Sequence, residues 1–388
     1  MPPAIRLPAL PLLLLLLCAA PACVTQDPPE SADNAQQDTT SQEPDPADAS
    51  NEPNDTQTPT DAAEPTDTPD AAPADATLPP DAEDSSPPDA TAPSPPTPVS
   101  LGPPVVVYTP SNGRYLNEPT LIRGPGPGPD PSPDPIWHVF ANSNTGKGEP
   151  WGERQLLHAT APTLHGPWTT QPDILTATDP GSTDGVLHAP FVFKDGPLWR
   201  ILYFDSTKDE DVGLRTATSP DLWTWTREPK PWPGGRDPMV LQHPGGNLLY
   251  TTISLLLPDG RHDAVRLDRQ NPDGTFTHLD NALYDPAVCP YACWGWFESP
   301  FVVQKDGHAL LFFTWTSTVA NTPDYLRTAV MRSTDPTHFD FGPPLTELFA
   351  HGAEWHEEDG QQWLTSGGWP ERIGEDKRGL WVQPVGWK

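Results

Sequence analysis

The sequence predicts an all-β fold, a five-bladed β-propeller of four-stranded blades. Three observations carry this. A short phrase, Pro followed by an apolar run, recurs along the chain. A turn signal and a second apolar run follow most copies. The copies stand about 50–70 residues apart, room for two hairpins each, in sequence without a helical period.

The phrase reads Asn117-Glu118-Pro119-Thr120-Leu121-Ile122, then His188-Ala189-Pro190-Phe191-Val192-Phe193. It returns as Arg236-Asp237-Pro238-Met239-Val240-Leu241 and Glu298-Ser299-Pro300-Phe301-Val302-Val303. A degenerate fifth copy is His351-Gly352-Ala353-Glu354-Trp355-His356. Lys194-Asp195-Gly196 leads to Trp199–Phe204, Lys305-Asp306-Gly307 to Ala309–Thr314, and Asp359-Gly360 to Trp363-Leu364-Thr365. Asp-Gly between β-rich runs is a strong hairpin signal. A second phrase, clearest in Ser219-Pro220-Asp221-Leu222-Trp223-Thr224-Trp225, follows further on in the units. A β-sandwich with chance repeats would not hold the Pro phrase at one place in each unit. Gly379–Trp387 is the expected closing strand, pairing near residues 104–108 so that no edge stays open.

Composition divides the chain. Of 388 residues, 53 are Asp or Glu and 22 Lys or Arg, a net charge of −31. Residues 24–103 contain no aromatic or basic residue but 18 Asp/Glu and 18 Pro. Such a segment cannot bury enough apolar surface to offset its chain entropy and is expected to be a disordered acidic linker. Its reach is about 50 Å if flexible. All 15 Trp fall between Trp137 and Trp387, so residues 104–388 form the folded domain. No basic stripe is available to neutralise phosphates, which excludes nucleic acid as a partner. Nothing signals oligomerisation, and a monomer is expected.

Residues 1–23 read as an export signal, with Arg6 before an apolar Leu12–Leu17 run too short to span a membrane. Ala20-Pro21-Ala22-Cys23 resembles a bacterial lipobox, in which Cys23 would be lipidated. Ala20-x-Ala22 is equally an ordinary cleavage site. The expected location is therefore extracytoplasmic, either anchored in the cell envelope through a lipid on Cys23 or secreted. In such a compartment Cys289 and Cys293 are expected to form a short-loop disulfide.

In a propeller the first strand of each blade lines the central channel. The blade starts offer Glu118, His188, Asp237, Glu298 and His351, with Glu354 nearby. Three carboxylates from three blades, in register, are hard to explain as structure, because clustered like charges repel. Strand alternation puts Trp296 and Pro300 on one face with Glu298, where apolar neighbours would raise a carboxyl pKa. Trp294 and Trp296 are candidate sugar-stacking residues. Trp168, Trp199, Trp223 and Trp225 are expected to pack between blades.

At these motifs residues 104–388 resemble the five-bladed propeller glycoside hydrolases, meaning the family 43 arabinanases and xylosidases and the related family 32 and 68 fructan enzymes. Arg236-Asp237-Pro238 looks like the fructan enzymes' Arg-Asp-Pro, and Trp296-Phe297-Glu298-Ser299-Pro300 is similar to the phrase holding the general acid. The resemblance implies Glu298 as proton donor, Asp237 as pKa modulator and transition-state stabiliser, and Glu118 at the position of the base or nucleophile. The family pattern has Asp there. His188, Arg236, His351 and Glu354 would bind substrate. No cofactor would be required, although a central structural calcium near the fifth-blade His is permitted. The implied activity is an extracytoplasmic hydrolase of arabinose-, xylose- or fructose-containing polysaccharides or oligosaccharides. Two alternatives stay open: a non-catalytic carbohydrate-binding lipoprotein, and a glycan phosphorylase.

Overall fold

The computed structural model describes residues 95–128, 134–144, 152–177, 186–206, 213–257, 260–283, 296–316, 327–339, 343–367 and 379–388. The export signal with Cys23, the linker up to residue 94, Cys289, Cys293 and Trp294 lie outside them.

The described residues are all-β and make five sheets. Blade I runs outward through β3 (Asn117–Gly124), β4 (Ile136–Ser143), β5 (Gln155–Ala161) and β6 (Thr169–Thr176). Blade II holds β7 (Leu187–Asp195), β8 (Leu198–Asp205), β9 (Gly213–Ser219) and β10 (Thr226–Arg227). Blade III holds β11 (Arg236–Leu241), β12 (Leu248–Leu257), β13 (Gly260–Gln270) and β14 (Phe276–Leu283). Blade IV holds β15 (Trp296–Lys305), β16 (His308–Thr316), β17 (Arg327–Ser333) and β18 (Thr346–Phe349). Blade V holds β19 (Glu354–Glu358), β20 (Gln361–Ser366) and β21 (Leu380–Trp387), and β21 is flanked by β1 (Pro98–Ser100) and β2 (Val105–Tyr108).

The turns follow the sequence. Lys305 pairs with His308 and Glu358 with Gln361, leaving two-residue loops. Both residues of each loop have positive φ, Asp306 50° and Gly307 77°, Asp359 53° and Gly360 76°. That conformation, the type I′ turn, is what Asp-Gly supplies. In blade II the two-residue loop is instead Gly196-Pro197, because Asp195 pairs with Leu198.

The ring closes in blade V. Val105 pairs with Val382 and Tyr108 with Leu380, at the expected place. Pro98–Ser100 also pairs with β21, from Pro98 opposite Trp387 to Ser100 opposite Val385. Thr97 and Lys388 exchange backbone hydrogen bonds of 3.1 and 2.9 Å. Pairing thus begins before residue 104, on the linker side of the compositional boundary. Pro is tolerated there because an outer strand has no further neighbour for an N–H.

The core is a set of inter-blade layers. Tyr108, Leu380 and Val382 pack on Leu116, Trp137 and Leu157 at the V–I seam. Phe140 and Leu156 pack on Val192, Ile201 and Tyr203 at the I–II seam. Trp225 meets Phe140 edge-on at 5.6 Å, and Trp168 lies 6.1 Å from Tyr108. The I–II seam also buries two histidines. His138 Nδ1 lies 2.9 Å from His158 Nε2, and His138 Nε2 lies 3.0 Å from the Pro125 carbonyl. A carbonyl only accepts, so His138 carries its proton on Nε2 and accepts from the His158 N–H. Trp223 stands edge-on to both rings and donates from Nε1 to the same carbonyl at 3.2 Å. Burial pushes His138 down to about 4, the Pro125 carbonyl opposing, and burial with the His138 charge pushes His158 down to about 3.

Candidate active site

The inner strands share one irregularity. In β3, Asn117 faces Asn142 and Thr120 faces Phe140, so three steps on one strand oppose two on its neighbour. The same excess separates His188 from Phe191, Arg236 from Met239 and Glu298 from Phe301. In blade V the His351 carbonyl accepts from Gly367 N while Glu354 faces Thr365, the same count. Each is a β-bulge with one extra residue. Inside it one residue turns left-handed: Glu118 (φ 46°), Ala189 (46°), Asp237 (55°), Ser299 (54°) and Gly352 (56°). In four blades Pro follows, and having no N–H it leaves no donor stranded in the bulge. Left-handed non-glycine residues cost about 1–3 kcal/mol each and persist where their surroundings hold them, often at functional sites.

The bulge sorts the blade starts into two circles. Glu118, Ala189, Asp237, Ser299 and Gly352, with the residues after them, line one small pocket with a volume of about 30 Å³. One residue earlier stand Asn117, His188, Arg236, Glu298 and His351. This corrects the sequence expectation that the three carboxylates share one register. Glu118 and Asp237 belong to the first circle and Glu298 to the second. The extra residue also breaks alternation, so Pro300 does not share a face with Glu298.

The circles meet at the catalytic candidates. An oxygen of Glu118, an oxygen of Glu298 and a ring nitrogen of His351 lie within 4.8 Å of one another. Ala189 N donates to Glu118 Oε2 at 3.1 Å and Ser299 Oγ to Oε1 at 3.4 Å. Ser299 N donates to Asp237 Oδ2 at 3.2 Å. Gly352 packs against Glu118, and its φ of 56° is a left-handed conformation that glycine adopts without strain. Burial first, then the Asp237, Glu298 and Glu153 charges, push the Glu118 carboxyl well above its ordinary range, with Arg236 opposing. Burial also raises Asp237, against Arg236, the Ser299 N–H, His188 and Thr252. Arg236 reaches Asp263 and the Phe297 carbonyl, both at 3.1 Å, and Asp237 at 3.5 Å.

The remaining candidates are placed as follows. His351 is fully buried, its backbone N–H bonded to Ser366 Oγ at 2.8 Å. Glu354 lines the cavity, but Oε2 accepts from Leu121 N at 2.9 Å and faces His356 at 3.3 Å, so it ties blade V to blade I. Trp296 opens β15 opposite Thr316. One functional neighbour was not singled out from the sequence. Glu153, 1 % exposed, holds His188 Nδ1 at 2.6 Å. It sits in Gly152-Glu153-Arg154, outside every repeated phrase, and only its partner in space identifies it. Glu118, Glu298 and His351 are also close enough together to be considered as ligands of one ion such as calcium. Two carboxylates and an imidazole nitrogen do not fit an ion that takes six to eight oxygens.

No protein-family model and no curated protein sequence matches the chain. Among solved structures, a GH43_1 enzyme from Xanthomonas citri aligns with a TM-score of 0.52 at 14 % identity, covering 74 % of this chain and 90 % of that one. A structure of the Xanthomonas citri GH43_1 enzyme complexed with xylotriose gives 0.51 at 14 %, covering 74 % and 89 %. A GH32 β-fructofuranosidase from Bombyx mori gives 0.50 at 15 %, covering 73 % and 61 %. At these identities the likeness establishes a shared five-bladed propeller fold.

Proposed function

We propose that the chain is an extracytoplasmic glycoside hydrolase acting on arabinose-, xylose- or fructose-containing glycans by carboxylate catalysis. One observation carries the reading. Glu118 and Glu298, from different blades, bring oxygens within 4.8 Å at the axis, beside the buried Asp237. Glycoside hydrolysis needs such a pair, one protonated and one ionised. The likeness in fold to glycosidases, one of them complexed with xylotriose, supports the same reading. Anchorage through a lipid on Cys23 belongs to the proposal and rests on the sequence.

Like charges this close do not both ionise freely, so the pair holds one proton between them. With the proton on Glu298, that residue protonates the leaving oxygen as the glycosidic bond breaks. Ionised Glu118 then bonds to the anomeric carbon. Water next attacks this carbon, gives its proton to Glu298, and releases Glu118. This double displacement is the retaining course, for which the two carboxyls stand about 5–5.5 Å apart, against about 6.5–9.5 Å in inverting enzymes. Asp237 supports the positive charge developing on the sugar.

The test is product release by the purified full-length chain from arabinan, xylan, levan, inulin and aryl glycosides, with and without phosphate. Glu298→Gln should lose at least about a hundredfold in turnover. A variant at near-full rate removes Glu298 from the mechanism, and phosphate-dependent release would make the protein a phosphorylase. A second reading, a non-catalytic glycan-binding protein, is favoured by Glu118 standing where the resembled enzymes have Asp. It requires saturable binding, no product, and unchanged binding in Glu298→Gln.

A further inference from the structure

We propose that Glu153 is a positioning residue for the reaction, holding the His188 ring in one orientation and keeping a positive charge beside Asp237 and Glu298. The inference rests on the glycosidase reading of the site and adds a residue to it. The geometry is specific. Glu153 is 1 % exposed and its Oε2 stands 2.6 Å from His188 Nδ1. Its other oxygen lies 3.5 Å from Asn117 Nδ2. Its carbonyl accepts from Leu187 N at 2.7 Å, and the next carbonyl, of Arg154, accepts from Ala177 N at 2.8 Å. The segment before β5 is thus fastened to the start of β7, and its carboxylate reaches the second circle of blade starts, where Glu298 also stands.

A buried carboxylate is stable only when paired, and His188 is the cation at hand. The charged groups that act most strongly on His188 are acidic: Glu153 from the segment before β5, Asp237 from β11 and Glu298 from β15. Glu118 from β3 is one step away, bonded to the N–H of Ala189. From β8 His188 meets the uncharged ring of Phe204 at 6.3 Å. Burial alone would discharge the imidazole, but the Glu153 charge and hydrogen bond, with the Asp237 and Glu298 charges, outweigh it and hold His188 above its ordinary range. Arg236 is already engaged by Asp237, Asp263 and the Phe297 carbonyl. His188 therefore supplies a second positive charge, beside Arg236, at a centre where carboxylates converge. That charge offsets the mutual repulsion of Asp237 and Glu298.

The experiment compares the full chain with Glu153→Gln, Glu153→Asp and His188→Gln, by ring nitrogen NMR and by the pH profile of kcat/KM. The His188 signal is assigned as the one missing from His188→Gln. In Glu153→Gln, His188 should lose its proton at lower pH than in the native chain, and in Glu153→Asp it should recover. The alkaline limb of kcat/KM should move to lower pH in step, with about a tenfold loss at pH 7.5. Adding Glu153→Gln to His188→Gln should cost nothing more. His188 titrating at the same pH in the native chain and Glu153→Gln overturns the proposal, as does a uniform loss of rate with an unmoved profile. The NMR arm needs no substrate, so a chain inactive on every glycan sinks the glycosidase reading while leaving the pairing itself decided.

Discussion

The buried His138–His158 pair makes stability fall in acid by a calculable amount. Both rings are neutral in the fold, with pKa values of about 4 and about 3 against the ordinary 6.5. The unfolded chain therefore binds more protons between these values, and stability is lost as pH falls through 6.5. For His158 the loss is RT ln[(1 + 10^(6.5−pH))/(1 + 10^(3−pH))]. It amounts to about 2 kcal/mol between pH 7.5 and 5.0, and about 3 kcal/mol by pH 4. At pH 5 the result hardly depends on the folded value once that is below about 4, so it tests neutrality itself. Glu118 and Asp237 act oppositely, since carboxyls raised in the fold contribute stability in acid that is lost as pH rises. The clean measure is a difference that leaves both in place. His158→Gln keeps an N–H that can donate to His138 Nδ1 but does not titrate. Urea unfolding of the full chain and of His158→Gln should show the native advantage shrinking by about 2 kcal/mol from pH 7.5 to 5.0. An advantage constant within about 0.5 kcal/mol would mean that His158 is charged in the fold, and the tautomer assignment would fail.

Two further outcomes follow from the site and the seams. Glu118→Asp draws the carboxylate back by one methylene from Glu298, and if Glu118 is the nucleophile kcat should fall about a hundredfold, since misplacement near 1 Å costs that much. An equal or higher rate, measured on the best substrate of the panel, would show that the longer side chain plays no part in the chemistry. Glu358 Oε1 accepts from Trp137 Nε1 at 2.6 Å and from Leu164 N at 3.0 Å, joining blade V to blade I. Glu358→Ala strands both donors and should cost about 2 kcal/mol in urea unfolding, with turnover unchanged. A loss below about 0.5 kcal/mol would mean that water replaces the carboxylate at that seam.

What the sequence reveals and what it hides divide along locality. Asp306-Gly307 and Asp359-Gly360 are legible because a two-residue turn depends on the residues within it. The recurring phrase is legible because each blade places the same strand at the axis. The bulge is not, because period-two reading treats Asn117–Gly124 or Trp296–Lys305 as uninterrupted strands. An inserted residue then shifts every assignment beyond it. Glu354 shows the consequence. In the fifth copy, left-handed Gly352 sets His351 in the circle of Glu298, while Glu354, two residues on, lines the pocket and bonds Leu121 N. Glu153 is invisible for a different reason: a lone acid acquires meaning only from a partner brought to it by the neighbouring blade.

The offset between the circles also gives the carboxylates different surroundings. Glu118 and Asp237 sit at the left-handed position, where the bulge aims backbone N–H groups of the next blade at them: Ala189 N at Glu118 and Ser299 N at Asp237. These N–H bonds fix each carboxyl in place, although burial still raises both above their ordinary range. Glu298 stands one residue earlier, and the N–H that follows it is the one spent on Asp237. A single repeated phrase thus puts acids at two adjacent positions, Glu118 and Asp237 in one circle and Glu298 in the other. The asymmetry that the proposed mechanism requires would come from which of two adjacent positions each blade fills with an acid.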